Sequence, residues 1–128
     1  MPHIMIDYSA NMEQATDIAA LCELLRKTGI ETGVFPMAGI RVRAFKADHV
    51  AIADGDPRHG YIDISIRLRG GRTFEAKKMA TEALFAAARQ FLQPIMTTHP
   101  FALSMEMRDI DPELSPKLNT IRDFLKEG

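Results

Sequence analysis

The 128-residue chain has one cysteine, no tryptophan and almost no net charge. A single cysteine excludes an internal disulfide framework. Sixteen basic residues against seventeen acidic ones leave a net charge of −1, and no basic stripe favours nucleic-acid binding. No apolar run approaches the roughly 20 residues that span a bilayer, and the N-terminus lacks the pattern of a secretory signal. We therefore expect a cytoplasmic protein without a nucleic-acid or membrane partner.

The composition that is present is that of one folded domain. Hydrophobic residues make up 46% of the chain and charged residues 26%, as in globular proteins. The length suits one domain with a real core and is too short for two ordinary domains. We therefore treat residues 1–128 as a single domain.

Strand-like and helix-like segments alternate in the first half of the chain. HIMIDY (3–8) and GIRVRAFK (39–46) are expected to be strands, the second with a different chemistry on each face. Between them, apolar residues at helical spacing predict a helix over about 12–28. Asn11 is its expected N-cap, and Gly29 is expected to end it.

The second half repeats this order. YIDISIRLR (61–69) alternates strictly between apolar and polar residues, and FALSMEM (101–107) alternates again. A long helix is predicted over about 74–92, with Thr73 as its N-cap. A Ser-Pro pair then signals the start of a short C-terminal helix over about 116–126.

These segments predict two βαβ units, about 2–48 and about 60–108. Right-handed crossovers give an α+β architecture, a four-stranded sheet with both long helices on one face, followed by the short C-terminal helix. The other sheet face is then uncovered within one chain. It would carry Met5, Phe45, Tyr61 and several arginines. Such a mixed face favours burial against other copies, so we expect an oligomer.

Most single candidates for chemistry are weak. The four histidines show no metal-ligand spacing, and Cys22 lies on the apolar stripe of the first helix, which suits the core. No nucleotide-binding or nucleophile-elbow motif is present. GGRT (70–73) is a glycine turn before a helix, where an anion can bind. Arg41 and Arg43 share one strand face, where they are either solvated or bind an anion.

Pro2 has two interpretations. A proline commonly opens a strand, because the first position needs no N–H for the ladder. Removal of Met1 would instead make Pro2 a free secondary amine. Strand starts are neighbours in a parallel βαβ unit, so Pro2 and Arg41 should share one end of the sheet, and Arg72 joins them if the second unit runs antiparallel. Burial and nearby cations lower the pKa of an amine, which would suit Pro2 to general-base work.

Three segments resemble one known family over the whole chain. PHIMIDYS at the start, FPMAGIRVR (35–43) and GGRT (70–73) resemble the 5-carboxymethyl-2-hydroxymuconate Δ-isomerase family of the tautomerase superfamily. GGRTFEAKK is also similar to a turn in 4-oxalocrotonate tautomerase, whose shorter chain is a single βαβ unit. The resemblance implies a homotrimer of pseudo-doubled subunits that uses no metal or cofactor.

The resemblance also implies roles for individual residues. Pro2 matches the catalytic proline base, Arg41 and Arg72 match catalytic arginines, and Arg43 matches an arginine that binds substrate. The implied reaction converts 5-carboxymethyl-2-hydroxymuconate, a tricarboxylate, to 5-carboxymethyl-2-oxo-hex-3-ene-1,6-dioate in homoprotocatechuate breakdown. Pro2 takes the 2-hydroxyl proton, and a proton is delivered to C5. A retained Met1 would make Pro2 an amide with no basicity, so the mechanism requires removal of Met1.

Two alternatives stay open at this point. In the first alternative, this chain has the same fold but acts on another 2-oxo acid, as in a phenylpyruvate-type tautomerase or a dehalogenase relative. A chain whose Pro2 stays blocked would instead be a non-catalytic trimeric binding protein.

Overall fold

The computed structural model of the protein describes residues 2–126, and the state of Met1 lies outside the described residues. Four strands form one sheet: β1 His3–Ser9, β2 Arg41–Ala47, β3 Gly60–Arg69 and β4 Phe101–Ile110. The order across the sheet is β2-β1-β3-β4. β1 pairs in parallel with β2, β3 pairs in parallel with β4, and β1 and β3 are antiparallel. The predicted pair of βαβ units is confirmed, and the second unit runs against the first.

The helices cover one face of this sheet, as predicted. They are α1 Met12–Ala15, α2 Ile18–Glu31, α3 Phe74–Phe91 and α4 Gln93–Met96. Alternate residues of the central strands point toward them and are fully buried, together with apolar residues of α2 and α3. The largest of these buried side chains are Ile4, Ile6, Ile62, Ile64, Ile66, Leu68, Leu21, Leu25 and Leu84. None of the helices within residues 2–126 is both long enough and apolar enough to cross a membrane.

The helix predicted over 12–28 is two helices. Thr16 adopts an extended conformation between α1 and α2, and the side chain of Asp17 is the N-cap of α2. Asn11 makes no capping hydrogen bond. Its amide instead accepts from the Ser9 hydroxyl at 2.7 Å and donates to the His59 carbonyl at 2.9 Å. The bond to His59 holds the turn-rich connection before β3. Asn11 therefore occupies the predicted N-cap position of α1, but its side chain does not cap the helix.

Gly29 does not end the helix either. It lies buried inside α2. A larger residue would not fit at this position, because a Cβ atom there would approach Ile40 Cδ1 to 2.8 Å. The helix continues for two residues and is followed by Gly33, whose φ of +76° favours glycine. The Thr73 cap, in contrast, is confirmed, since its hydroxyl accepts from the Ala76 N–H at 3.1 Å.

The predicted C-terminal α-helix over 116–126 is wrong. Only one turn of 3-10 helix forms, at Ile121–Phe124. Leu118 is 97% exposed, so the apolar side of the expected helix has no surface to bury against within one chain. A helix this short requires such packing. The Ser115 hydroxyl donates back to the Asp111 carbonyl at 2.7 Å instead of capping a following helix.

Candidate active site

Pro2 lies at the start of β1 with its side chain fully buried. Its carbonyl accepts a hydrogen bond from the Arg41 N–H at 3.2 Å, and the next residue, His3, pairs with Arg41 in the sheet. The structure therefore brings Pro2 and Arg41 together, as the parallel arrangement of their strands predicts.

A row of basic residues crosses the open face at this end of the sheet. His3 is the register partner of Arg41 on β2 and of Arg67 on β3, and Arg67 is the partner of Arg108 on β4. Partners across a ladder share a face, so all four lie on the side away from the helices. Strict alternation in β3 places Arg67 on this face, but no pattern within the sequence marks the whole row. The strand registers alone decide which basic residues become neighbours.

His3 is held as a neutral imidazole among these cations. Arg43 Nη1 lies 3.2 Å from His3 Nδ1. A guanidinium group can only donate, so Nδ1 accepts and the ring proton lies on Nε2. Burial lowers the pKa of His3 below its ordinary value of 6.5, and the positive charges of Arg67, Arg43 and Arg41 lower it further. At neutral pH, His3 therefore adds a hydrogen-bond donor and no charge.

This arrangement predicts a pH dependence of stability. Because the pKa of His3 is below 6.5 in the folded state, the unfolded chain takes up more protons as the pH falls through this value. The contribution of His3 to the free energy of unfolding is then complete above that pH and decreases below it. We expect His3→Gln to flatten this part of the pH profile, measured by urea unfolding. A variant profile parallel to that of the wild type would contradict the lowered pKa of His3 in the folded protein.

A cleft of about 230 Å³ opens beside this row. Its lining comes from the starts of β1 and β2, the ends of β3 and β4, and the chain that follows β4. The lining residues are His3, Arg41, Arg69, Ile110, Ser115, Pro116, Lys117 and Leu118. Several are basic, and no carboxylate is found among the described residues that line the cleft. Charge-assisted hydrogen bonds from such a lining favour an anionic ligand.

A larger groove of about 710 Å³ runs along α3 beside the edge strand β4. Its lining mixes charges of both signs, with Glu82 and Arg89 among apolar and amide side chains. It lies beside β4, which β3 separates from Pro2. No group of His, Cys, Asp and Glu within residues 2–126 is arranged to hold a metal ion. The smaller, cationic cleft is therefore the candidate active site.

Arg72 reaches the same end of the sheet, but its guanidinium contacts backbone carbonyls. Nε donates to the Val34 carbonyl at 3.0 Å, and Nη1 donates to the Arg69 carbonyl at 3.1 Å. These two bonds tie the loop before β2 to the end of β3. Arg72 is absent from the described lining of the cleft. Of the arginines singled out in the sequence, Arg41 lines the cleft, Arg43 contacts His3 behind it, and Arg72 supports its wall.

The C-terminal strap, defined as residues 115–119, forms one wall of the cleft. Four of its residues line the cleft. The strap is attached where the Asn119 side-chain amide donates to the Ala38 carbonyl at 2.7 Å. No local pattern in the sequence marks this wall, because the attachment joins residues that are 81 positions apart.

Known proteins resemble the chain over almost its whole length. The family model described as 5-carboxymethyl-2-hydroxymuconate isomerase matches residues 2–125. A relative from Escherichia coli, 5-carboxymethyl-2-hydroxymuconate Delta-isomerase, is 30% identical over 126 residues. That match covers 98% of this chain and 100% of the relative.

Solved structures agree with this match. A crystal structure of 5-carboxymethyl-2-hydroxymuconate delta-isomerase has a TM-score of 0.91 at 27% identity, covering 100% of this chain and 95% of that chain. A 5-carboxymethyl-2-hydroxymuconate isomerase from Deinococcus radiodurans R1 has a TM-score of 0.89 at 26% identity, covering 98% and 95%. A fused 4-OT wild-type symmetric trimer has a TM-score of 0.60 at 20% identity, covering 85% of each chain, and shows the shared fold alone.

Proposed function

Because the chain belongs to the 5-carboxymethyl-2-hydroxymuconate isomerase family, we propose that it converts 5-carboxymethyl-2-hydroxymuconate to 5-carboxymethyl-2-oxo-hex-3-ene-1,6-dioate. The resemblance carried by its three sequence segments is confirmed, and the protein is an isomerase with the tautomerase fold. The proposed reaction belongs to the breakdown of homoprotocatechuate-type aromatic compounds. We expect it to take place in the cytoplasm.

The observation that best supports this substrate is the convergence of basic side chains on the cleft. Pro2 is absent from its described lining, but His3 and Arg41, which are the neighbours of Pro2 in the sheet, both line it. The chain as a whole has a net charge of only −1, so this local excess of positive charge is an arrangement of the fold. The substrate carries three carboxylates, which such a cleft would hold by charge-assisted hydrogen bonds. The Nε of Arg67, buried without a partner among residues 2–126, still requires an acceptor.

Pro2 is the proposed base. Once Met1 is removed, its nitrogen becomes a secondary amine at the start of β1. Burial and the neighbouring guanidinium groups would lower the pKa of this amine below the ordinary α-amino range of about 7.7–8.0, so that it is neutral near pH 7. It then takes the proton of the 2-hydroxyl group. The O–H electrons form the 2-oxo group, the double bonds shift, and C5 receives a proton.

Arg41 is the proposed stabiliser of the developing charge. While the proton is in transit, the substrate is a dienolate with negative charge on the 2-oxygen. The Arg41 guanidinium group, placed beside the 2-oxygen, would stabilise that charge in the transition state. Arg43 would orient the substrate through His3, and Arg72 would hold the wall of the cleft in place.

The proposal is tested by an ultraviolet assay with protein whose intact mass shows that Met1 is absent. We expect turnover of the tricarboxylate with a kcat/KM well above that for phenylpyruvate. Phenylpyruvate has one carboxylate and would leave most of the cations without partners. Faster turnover of phenylpyruvate would favour the other tautomerase activity on the same fold. Absence of any turnover by Met1-free protein would favour the non-catalytic binding protein.

The proposed assembly is a homotrimer in which neighbouring subunits cover the open sheet face. This face exposes 53% of Phe45 and also carries Met5 and Tyr61, which the helices do not cover. Both edges of the sheet, β2 and β4, also have no partner strand among residues 2–126. The fused 4-OT relative is a symmetric trimer.

We expect sedimentation equilibrium at micromolar concentration to give three chain masses. Phe45→Glu should shift the protein toward smaller species and lower its activity. Burial of one phenylalanine side chain is worth about 1.5–3 kcal/mol, and a trimer loses three of them. The control is Phe74→Glu, at an exposed position on the helix side of the sheet. A monomeric wild type, or equal dissociation of both variants, would contradict this assembly.

A further inference from the structure

Two basic residues of the cleft, Arg69 and Lys117, have no role in the mechanism above. Arg69 is the last residue of β3, and Lys117 lies in the middle of the C-terminal strap. Neither side chain takes part in an ion pair among residues 2–126. Both line the same cleft as Arg41. Two cations that face a common cleft without an acidic partner repel each other, and an anion between them would relieve that repulsion.

The backbone around Lys117 is held in place on both sides. Two residues before it, the Ser115 hydroxyl donates to the Asp111 carbonyl at 2.7 Å. Two residues after it, the Asn119 side chain donates to the Ala38 carbonyl at 2.7 Å and accepts from the Ile121 N–H at 2.8 Å. The lysine is therefore carried by an ordered backbone, which reduces the entropy lost when it binds a ligand.

The basic side chains of the cleft suit a ligand with several carboxylates. Arg41, Arg69 and Lys117 are the arginine and lysine residues among the described lining residues. A carboxymethyl carboxylate held between Arg69 and Lys117 would neutralise that pair, while Arg41 faces the rest of the substrate. A dicarboxylate with the same reacting diene would leave both Arg69 and Lys117 without an anionic partner.

We propose that Lys117 and Arg69 bind the carboxymethyl carboxylate of the substrate, and that they make the enzyme selective for tricarboxylates. This inference deepens the proposed function and depends on it for the identity of the substrate. The C-terminal strap is then a specificity element, while Pro2 and Arg41 act on the part of the molecule that tricarboxylates and dicarboxylates share.

The test compares two substrates, 5-carboxymethyl-2-hydroxymuconate and 2-hydroxymuconate, which lacks the carboxymethyl group. Lys117→Gln and Arg69→Gln should each lower kcat/KM for the tricarboxylate by about 10-fold or more, mainly through KM, as expected for a lost charge-assisted bond. The values for the dicarboxylate should change by less than about 3-fold. Lys117→Arg should retain most of the selectivity. Arg122→Gln, which removes a charge from the 3-10 turn outside the cleft, should leave both substrates unchanged.

A variant of the strap separates position from charge. Asn119→Ala removes the side-chain bonds to Ala38 and Ile121 and changes no charged residue. If the strap positions Lys117, this variant should also lose selectivity for the tricarboxylate. Equal losses on both substrates in Lys117→Gln, or no loss on either, would overturn the inference while leaving the proposed function intact.

A binding measurement covers the case in which the proposed function fails. Calorimetric titration with propane-1,2,3-tricarboxylate and with glutarate requires no turnover. If wild-type protein turns over neither muconate, a loss of about 10-fold in affinity for the tricarboxylate alone in Lys117→Gln would still support the site. An unchanged affinity for the tricarboxylate would overturn it.

Discussion

Protein that retains Met1 is expected to show no turnover above background, whereas protein that begins at Pro2 is expected to be fully active. Acylation of the proline nitrogen turns a base into an amide, whose lone pair is delocalised into the carbonyl group. General-base catalysis typically contributes about 10²- to 10⁴-fold to a rate, so the whole of this factor should be lost. Protein with and without Met1 is separated by intact mass, and each form is assayed with 5-carboxymethyl-2-hydroxymuconate.

Two controls keep this result specific to the amine. Melting temperatures of the two forms should agree, because the core around Ile4 and Ile6 does not involve the amine. Pro2→Ala also exposes an N-terminal amine after removal of Met1, so it should lose only part of the rate. In the pH profile of kcat/KM, the active form should show a base with a pKa below the ordinary α-amino range. Full activity with Met1 attached would exclude Pro2 as the base.

Arg41→Ala is expected to lower kcat/KM by about 10- to 100-fold. A hydrogen bond to a charged group contributes roughly 1.5–3 kcal/mol, and 1.4 kcal/mol corresponds to a factor of ten. A lower kcat would indicate contact with the developing dienolate, whereas a raised KM alone would indicate ground-state binding of a carboxylate. A change of only a few-fold would mean that Arg41 is a solvated strand residue and that the active site lies elsewhere.

Arg43 and Arg72 serve as comparisons for the effect of Arg41→Ala on kcat/KM. Arg43 donates to His3 and lies over the ring of Phe45 at 5.9 Å, so Arg43→Ala should have a milder effect on kcat/KM. Arg72→Ala should lower kcat/KM as strongly as Arg41→Ala, but with a lower melting temperature, because it removes the bonds to Val34 and Arg69. A loss of activity in Arg72→Ala without any loss of stability would indicate direct contact with substrate.

Local patterns were sufficient to predict the sheet and the long helix of the second unit. The strict alternation of residues 61–69 appears as β3, with every second residue buried. Thr73 caps α3 as predicted, because its hydroxyl needs only the backbone N–H of Ala76, three residues further on. In each case the groups that interact are close in the sequence, so the pattern contains both partners.

The predictions that failed depended on partners distant in the sequence. Asn11 lies at the predicted N-cap position, but its side-chain amide donates to carbonyls more than forty residues away instead of capping the helix. The C-terminal residues have the spacing of an amphipathic helix, but their apolar side chains stay largely exposed against the part of the chain that the structure describes. For Asn11, a capping preference worth about 1 kcal/mol gives way to tertiary hydrogen bonds. For the C-terminal segment, the helix lacks the tertiary packing that would stabilise it.

The sequence by itself determined the two βαβ units, the family and the position of Pro2 beside Arg41, because periodicity, caps and parallel strand starts are local or topological properties. Only the tertiary structure decided that His3 and Arg67 join Arg41 in one row, and that Lys117 and Arg69 line the same cleft. Strand register and the attachment of Asn119 to Ala38 set these neighbours. Both depend on the packing of the whole chain, since a shift of one residue in a strand would move every basic side chain to the other face.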